Sequence, residues 1–423
     1  MARIEDFYDP WNPDFVRDPI SRYRPLLSQP PILLEGGKLP PSLSLGALPD
    51  KPVVLIARYD DVLTVMRDAA RFSNHRPPRP GAQAGQKPGQ DGGLKFYGAT
   101  SMLFSDPPVH TRLRRLVTRA FSPRRIRDLA PMITSIVARM VDAVAARGTF
   151  EVMKDLAWPL PMAIIAEMLG VTPEFYDDFH RWSVLIINAD SLSAGGSYSA
   201  ETREASVRLR EYVSREIQTR HNSDATDVIS LLVQAQEQGE ALTSGEVLAF
   251  VLLLLLAGSE TTTSLIGNGL QLMVEHPEAF ETLKRHPALW RTAIEEILRF
   301  EPPVHAVDRY ATCDTEVGGT AIPQGSLLHV LLAAANHDPA KFPDPGRFDI
   351  TRDPNDHVAF GEGIHFCLGA GLSRLEGEIL FPYLIERFPR LRPADPTADG
   401  RVYSGAISYF MPRKVGELQM LID

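Results

Sequence analysis

Two cysteines in 423 residues, Cys313 and Cys367, are too few for a disulfide framework, so a hydrophobic core has to hold the fold. Long apolar runs are missing too. The longest contains Ala249 to Gly258 and stops at Ser259-Glu260, well short of the roughly 18 residues of a membrane span. No bilayer contact is expected. Basic charge is also short: a formal net charge of −9 argues against nucleic acid as the main partner, because phosphate binding needs a surplus of Lys and Arg. The opening MARIEDFYDP carries no basic segment ahead of an apolar stretch, which together with the scarce cysteines predicts a cytoplasmic protein.

What is present is apolar mass, 44% of the residues, enough to bury a substantial core. No internal repeat or linker breaks the chain, so residues 1–423 are read as one domain, monomeric by default. Helical spacing of apolar residues fills most of 107–300, as in RLRRLVTRAF, MITSIVARMVDAVAA and IIAEMLG. Short β-like stretches flank it at PVVLIA, TEVGGTAIPQGSLLHVLLAAA and ISYFMP. The fold class is therefore mainly α with small β-sheets. Residues 76–93, RPPRPGAQAGQKPGQDGG, hold nine Pro or Gly in 18 positions and form a long loop, either a lid or an insertion.

One of the two cysteines stands in FGEGIHFCLGAGLSRLEGEIL, residues 360–380. Gly361, Gly363 and Gly369 permit a tight turn, and a helix is predicted from near Leu368, which puts Cys367 at its N-terminus. Free N–H groups and the positive end of the helix dipole favour a thiolate there, suited to metal ligation or nucleophilic attack. Zinc needs three or four ligands, and no second Cys or paired His lies at the usual spacing. An axial thiolate to haem iron needs one ligand, while an inert buried cysteine needs no explanation at all.

FGEGIHFCLG resembles the haem-binding signature of the cytochrome P-450 family, Phe-x-x-Gly-x-x-x-Cys-x-Gly with His two before the Cys. The resemblance makes Cys367 the axial ligand of haem b, in a loop that includes Phe360 and Gly361. Three further stretches match in the family's order. Thr243-Ser-Gly-Glu246 announces a helix by a capping-box pattern, and within it Ala257-Gly258-Ser259-Glu260-Thr261 is similar to the oxygen-activating motif. There Glu260 and Thr261 are expected to deliver protons, and a hydroxyl bonding the i−4 carbonyl is expected to distort the helix. WRTAIEEILRF carries Glu296 and Arg299 in an E-x-x-R pattern, which the family completes with a later arginine; Arg347 of FPDPGRFDI is nominated. SDPPVHTRLRRLV predicts a helix capped by Asp106 with Pro107 first, placing His110 and Arg114 on one face. By the resemblance these two, with Arg309 of VHAVDRYAT and His365, bind the haem propionates.

The matches run from about residue 50 to 412 and imply the cytochrome P-450 fold. Glu362 departs from the usual residue at its place, and the 76–93 loop is longer than the family's; residues 76–103 are expected to be a flexible substrate-access loop. The implied activity is a monooxygenase that uses O2 and two electrons to hydroxylate a small hydrophobic substrate. Its pocket is expected among Leu253, Leu256, Ala257, Val304, His305, Val307 and Ile407, with His305 the one polar candidate. With no fused flavin or iron–sulfur segment apparent, electrons are expected from a ferredoxin and ferredoxin reductase, docking near Arg112, Arg115 and Arg374. A non-catalytic haem-thiolate sensor and a peroxide-driven hydroxylase are the alternatives, the second disfavoured by the acid–alcohol pair. Cys313 is read as structural.

Overall fold

The computed structural model describes residues 9, 12–34, 51–75, 101–192, 199–220, 224–237, 240–395, 403–404 and 414–422. The 76–93 loop, the ISYFMP stretch and Ile407 lie outside them, and so does the side chain of Leu256. The chain divides into two compact units, one of residues 1–77, 129–160 and 260–423, the other of 78–128 and 161–259.

A mixed sheet organises the first unit. Its strands are β1 (Ile32–Leu34), β2 (Val53–Ile56), β3 (Phe72–Ser73), β4 (Ala306–Ala311) and β5 (Leu327–Leu331), in the order β1-β2-β5-β4-β3. Only β2 and β5 run parallel. Both are buried along their whole length, which is why VVLI and LLHVL read as continuous apolar runs with a single histidine. Alternate side chains feed two clusters. Leu55, Leu327, Leu331 and Tyr310 pack with Tyr23 of helix Pro19–Leu27, while Val54, Ile56, Leu328 and Val330 pack with Tyr59, Val62 and Met66 of helix Tyr59–Arg67. The first of these helices starts at Pro19 because Asp18 caps it, its carboxylate accepting from the Ser21 N–H at 3.2 Å. Cys313 is exposed.

Helices Ala130–Ala145, Trp290–Phe300 and Ala370–Arg387 complete this unit. Trp290 stacks on Phe381 with ring centroids 5.6 Å apart. Within the last helix Glu376 is only 2% exposed, and its Oε2 has no hydrogen-bond partner among the described residues. Burial pushes its carboxyl from 4.5 up to about 8. A carboxyl whose folded value is raised contributes stability that is complete below 4.5 and is lost as pH rises through about 8. Thermal unfolding followed across that window should show the wild type losing stability relative to Glu376→Gln by up to about 5 kcal/mol. Parallel curves would mean that the carboxyl is already ionised in the fold.

The second unit is built from helices, among them Val109–Thr118, Tyr176–Leu192 and Ala200–Arg220. Arg220 ties its parts together, donating to the Asp227 carboxylate at 3.0 and 3.2 Å and to the Gly170 carbonyl at 3.0 Å. The helix Ser244–Glu275 starts in this unit and crosses the boundary at residue 260. It begins as its capping box demands: the Thr243 N–H donates to Glu246 at 2.8 Å and the Glu246 N–H donates to Thr243 Oγ1 at 3.2 Å. By length and composition this helix could cross a membrane, a feature that counting uninterrupted apolar runs did not register. In the fold, 82% of its most apolar window is buried inside the protein, so that surface is core.

Candidate functional site

The cysteine loop is shaped by glycines at two positions. Gly361 and Gly363 have φ of +70° and +72°, and a Cβ on Gly363 would stand 2.3 Å from the Met66 carbonyl oxygen, so this backbone approach is open to glycine alone. Residues 363–365 make a single 3-10 turn, and the Cys367 N–H donates to the Phe360 carbonyl at 3.0 Å. The helix Ala370–Arg387 then starts with Gly369 as its cap residue, two residues later than Leu368. Cys367 is half-buried immediately ahead of the helix's positive end, with Phe360 and Phe366 in ring contact beside it at 6.2 Å.

A positive charge belongs to the same neighbourhood. Arg374, one helical turn into that helix, lies with its guanidinium 4.5 Å from the Phe360 ring centroid and donates twice to Glu295, at 2.6 and 2.8 Å. Those bonds, burial opposing, and the nearby charges of Glu295 and Cys367 raise the pKa of Arg374. Glu295 is also hydrogen-bonded to His357 Nε2 at 3.0 Å. Burial works against its ionisation, yet the bonds and charges of Arg374 and His357 outweigh it and hold the carboxyl down at about 2. The three side chains brace the loop from behind, an arrangement that sequence reasoning missed. Of the arginines expected near the docking face, Arg374 pairs with Glu295 and Arg112 with Glu246. Arg115 is half-buried.

Glu296, the next residue, points to a different side of the helix, where it and Arg299 have no exposed side-chain surface. It accepts from Arg299 Nε and Nη2, both at 2.8 Å, from the Asp349 N–H at 2.9 Å and from Asn355 Nδ2 at 3.1 Å. The arginine that completes the set is Arg352, with Nε at 3.1 Å, and Arg347 is corrected accordingly. The Arg347 side chain is 67% exposed and paired with Asp349; only its carbonyl joins the network, accepting from Arg299. The turn at Asp349–Thr351 brings Arg352 back over Glu296, a reversal that no spacing rule announces.

On the long helix the Glu260 carboxylate is buried and accepts from Trp158 Nε1 at 3.2 Å. Thr261 is half-buried beside it, and Thr262 Oγ1 meets Ser373 Oγ of the cysteine helix at 3.3 Å. The helix runs through this stretch without interruption, and among the described residues the hydroxyls of Ser259 and Ser264 donate to i−4 carbonyls. In the second unit Ala257 is exposed, Gly258 sits where a Cβ would be 3.1 Å from Ile165 Cδ1, and Leu253 is buried.

Helix Val109–Thr118 starts two residues later than Asp106 as cap would give, with Pro108 before its first residue. It carries His110 and Arg114 one turn apart, and burial, with the Arg114 charge, lowers the pKa of the buried His110 ring. In the first unit Arg309 is buried on β4 and donates to Asn74 Oδ1 at 2.7 Å, while His365 is half-buried in the 3-10 turn. Val304 and Val307 are half-buried against the sheet cluster of Val54 and Val330. His305, the polar pocket candidate, has a buried ring with Nδ1 3.1 Å from the Tyr23 hydroxyl, which supplies the buried phenol with a partner.

The donor set fits a haem. Cys367 presents a single half-buried thiol at a helix start, the one protein ligand that an axial site on haem iron takes. A family model described as Cytochrome P450 matches residues 174–286 and 288–402. Cytochrome P450 107B1 of Saccharopolyspora erythraea is 40% identical over 353 residues, 82% of this chain and 84% of that protein. Vitamin D(3) 25-hydroxylase of Pseudonocardia autotrophica is 38% identical over 348 residues, 82% and 83% of the two chains. The solved structure of cytochrome P450 PksS from Bacillus subtilis 168 superposes with a TM-score of 0.84 at 31% identity, covering 98% of this chain and all of that one.

Proposed function

Since the chain belongs to the cytochrome P450 family, we propose that it is a bacterial-type hydroxylase in which Cys367 is the haem ligand and Glu260 and Thr261 deliver protons. The enzyme class is a monooxygenase using haem b and O2, in line with relatives named as hydroxylases. When bound, the haem supplies a thiolate-ligated iron at which O2 is activated and one of its oxygen atoms enters a substrate C–H bond. The observation that carries the reading is Cys367 itself: one half-buried thiol at a helix start, in a loop whose Gly363 tolerates no side chain.

The chain's own residues divide the remaining work. Phe360 and Gly361 form the wall of the cysteine loop; Ala257 and Gly258 keep side-chain bulk off the long helix. His110, Arg114, Arg309 and His365 are donors suited to the two propionates. Substrate binding falls to apolar side chains, with Leu253, Val304 and Val307 in the proposed set, so the substrate is a small hydrophobic organic compound. Electrons come singly from a separate donor, a ferredoxin with its reductase. The reading takes the chain as one cytoplasmic, monomeric domain, supported by relatives whose matched regions span most of it.

Thr261 tests the mechanism. Removing its hydroxyl in Thr261→Ala should leave substrate binding intact and lower product formed per O2 consumed by roughly tenfold, as loss of a positioned proton donor does. Product and peroxide measured together against O2 uptake give the answer; unchanged coupling would remove Thr261 from the mechanism.

A further inference from the structure

The Glu260 carboxylate accepts a hydrogen bond from a side chain a hundred residues earlier in the chain. Trp158 Nε1 donates to Glu260 Oε1 at 3.2 Å, and the carboxylate is buried. We propose that Trp158 is a positioning residue for proton delivery: its indole N–H fixes one oxygen of Glu260 and so orients the other. The inference rests on Glu260 being the proton-delivering acid.

The local structure supports a built contact. Residues Met153–Ala157 form one turn of π-helix, in which the Trp158 N–H donates to the Met153 carbonyl at 2.9 Å. Such turns insert an extra residue and re-aim the side chains that follow, and they concentrate at functional sites. The turn is pinned at both ends. Glu151 accepts from the Met153 N–H at 3.1 Å, and Pro159 opens the next helix directly after Trp158. Met153, at the start of the π-turn, lies against Gly267, where a Cβ would stand 2.6 Å from its sulfur. Gly267 and Glu260 are two turns apart on one face of the long helix. One π-turn therefore touches that helix twice, by Met153 at the glycine and by Trp158 at the acid.

The chemistry assigns the role. An indole N–H donates and cannot accept, and it does not ionise near neutral pH, so Trp158 cannot pass a proton on. A carboxylate has two oxygens; engaging Oε1 restricts rotation of the group and so fixes the direction in which Oε2 points. Trp158→Phe keeps the aromatic packing and deletes the donor.

The test uses the holoenzyme with indole-15N tryptophan; the chain holds four tryptophans, and the Trp158 signal is the one missing in Trp158→Phe. Glu260→Ala should shift that indole proton and speed its exchange with solvent, a readout independent of turnover. In turnover, Trp158→Phe should lower coupling roughly three- to tenfold, the loss of one charge-assisted hydrogen bond, and change the solvent isotope effect and pH profile. In a Glu260→Gln background the same substitution should add nothing. An indole signal indifferent to Glu260→Ala would overturn the contact. Normal coupling in Trp158→Phe, with Glu260→Gln uncoupled, would overturn the positioning role alone. Normal coupling in Glu260→Gln would overturn both this role and the proton-delivery reading, whatever the indole signal shows.

Discussion

Cys367→Ser should give a reduced, carbon-monoxide-treated protein that lacks the strongly red-shifted Soret band of a thiolate-ligated haem, with hydroxylation falling below detection. The expectation follows from the geometry around the sulfur. The loop's shape is set by backbone: the Cys367 N–H bond to the Phe360 carbonyl, and the close pass of Gly363 over the Met66 oxygen. Serine preserves both. The substitution therefore removes a ligand without removing the fold, and the unfolding free energy of the haem-free protein should change by no more than about 1 kcal/mol. What disappears is a soft anion at the positive end of a helix, next to the Arg374 guanidinium. A hydroxyl there stays protonated and is a poor ligand for iron. A red-shifted band surviving in the variant would show that another group ligates the metal, and the function built on Cys367 would fall with it.

The parts of this site that were legible in the sequence are those that local chemistry decides. Gly361, Gly363 and Cys367 could be read as a tight loop because only glycine reaches φ near +70° at no cost. The Thr243–Glu246 capping box could be read because both its bonds lie within four residues. Glu296 and Arg299 could be paired because one helical turn brings them together. Contacts decided by tertiary structure were not legible. Arg347 and Arg352 sit in the same irregular stretch, and which side chain reaches Glu296 depends on a turn with no periodicity. The Tyr23 phenol meets the His305 ring from far along the chain, a pairing with no local signal. Trp158 and Glu295 reach their partners across long stretches of chain, and a single tryptophan or glutamate carries no signal of that. The β expectation at PVVLIA is met by Val53–Ile56. That at ISYFMP falls outside the described residues.

The largest loss of stability is expected at Glu296. Its two oxygens take hydrogen bonds from Arg299, Arg352, Asn355 and the Asp349 backbone, and neither Glu296 nor Arg299 has any exposed side-chain surface. Glu296→Gln keeps the shape but cancels the charge and turns an NH2 group towards guanidinium donors. Two cations are then buried together without their anion, at a cost of about 3–5 kcal/mol, against a total of roughly 5–15 kcal/mol for a typical protein. The partners matter as much as the pair. Arg299 also donates to the carbonyls of Asn336, Pro345 and Arg347, so its displacement frees three backbone acceptors as well. Glu296→Leu combined with Arg299→Leu, which removes that pair but leaves Arg352 without its carboxylate and three carbonyls without their donor, should recover only part of the loss. The damage should also reach the haem, because Glu295, adjacent on the same helix, braces the cysteine loop through Arg374 and His357. Denaturant unfolding and haem retention measured on the single and double variants separate these contributions. A single variant within about 1 kcal/mol of wild type would show that the buried ions do not hold this region together. Partial rescue of stability by the double variant without rescue of haem retention would place the link to the cysteine loop in the orientation of the Glu295–Glu296 helix, not in the charge balance of the core.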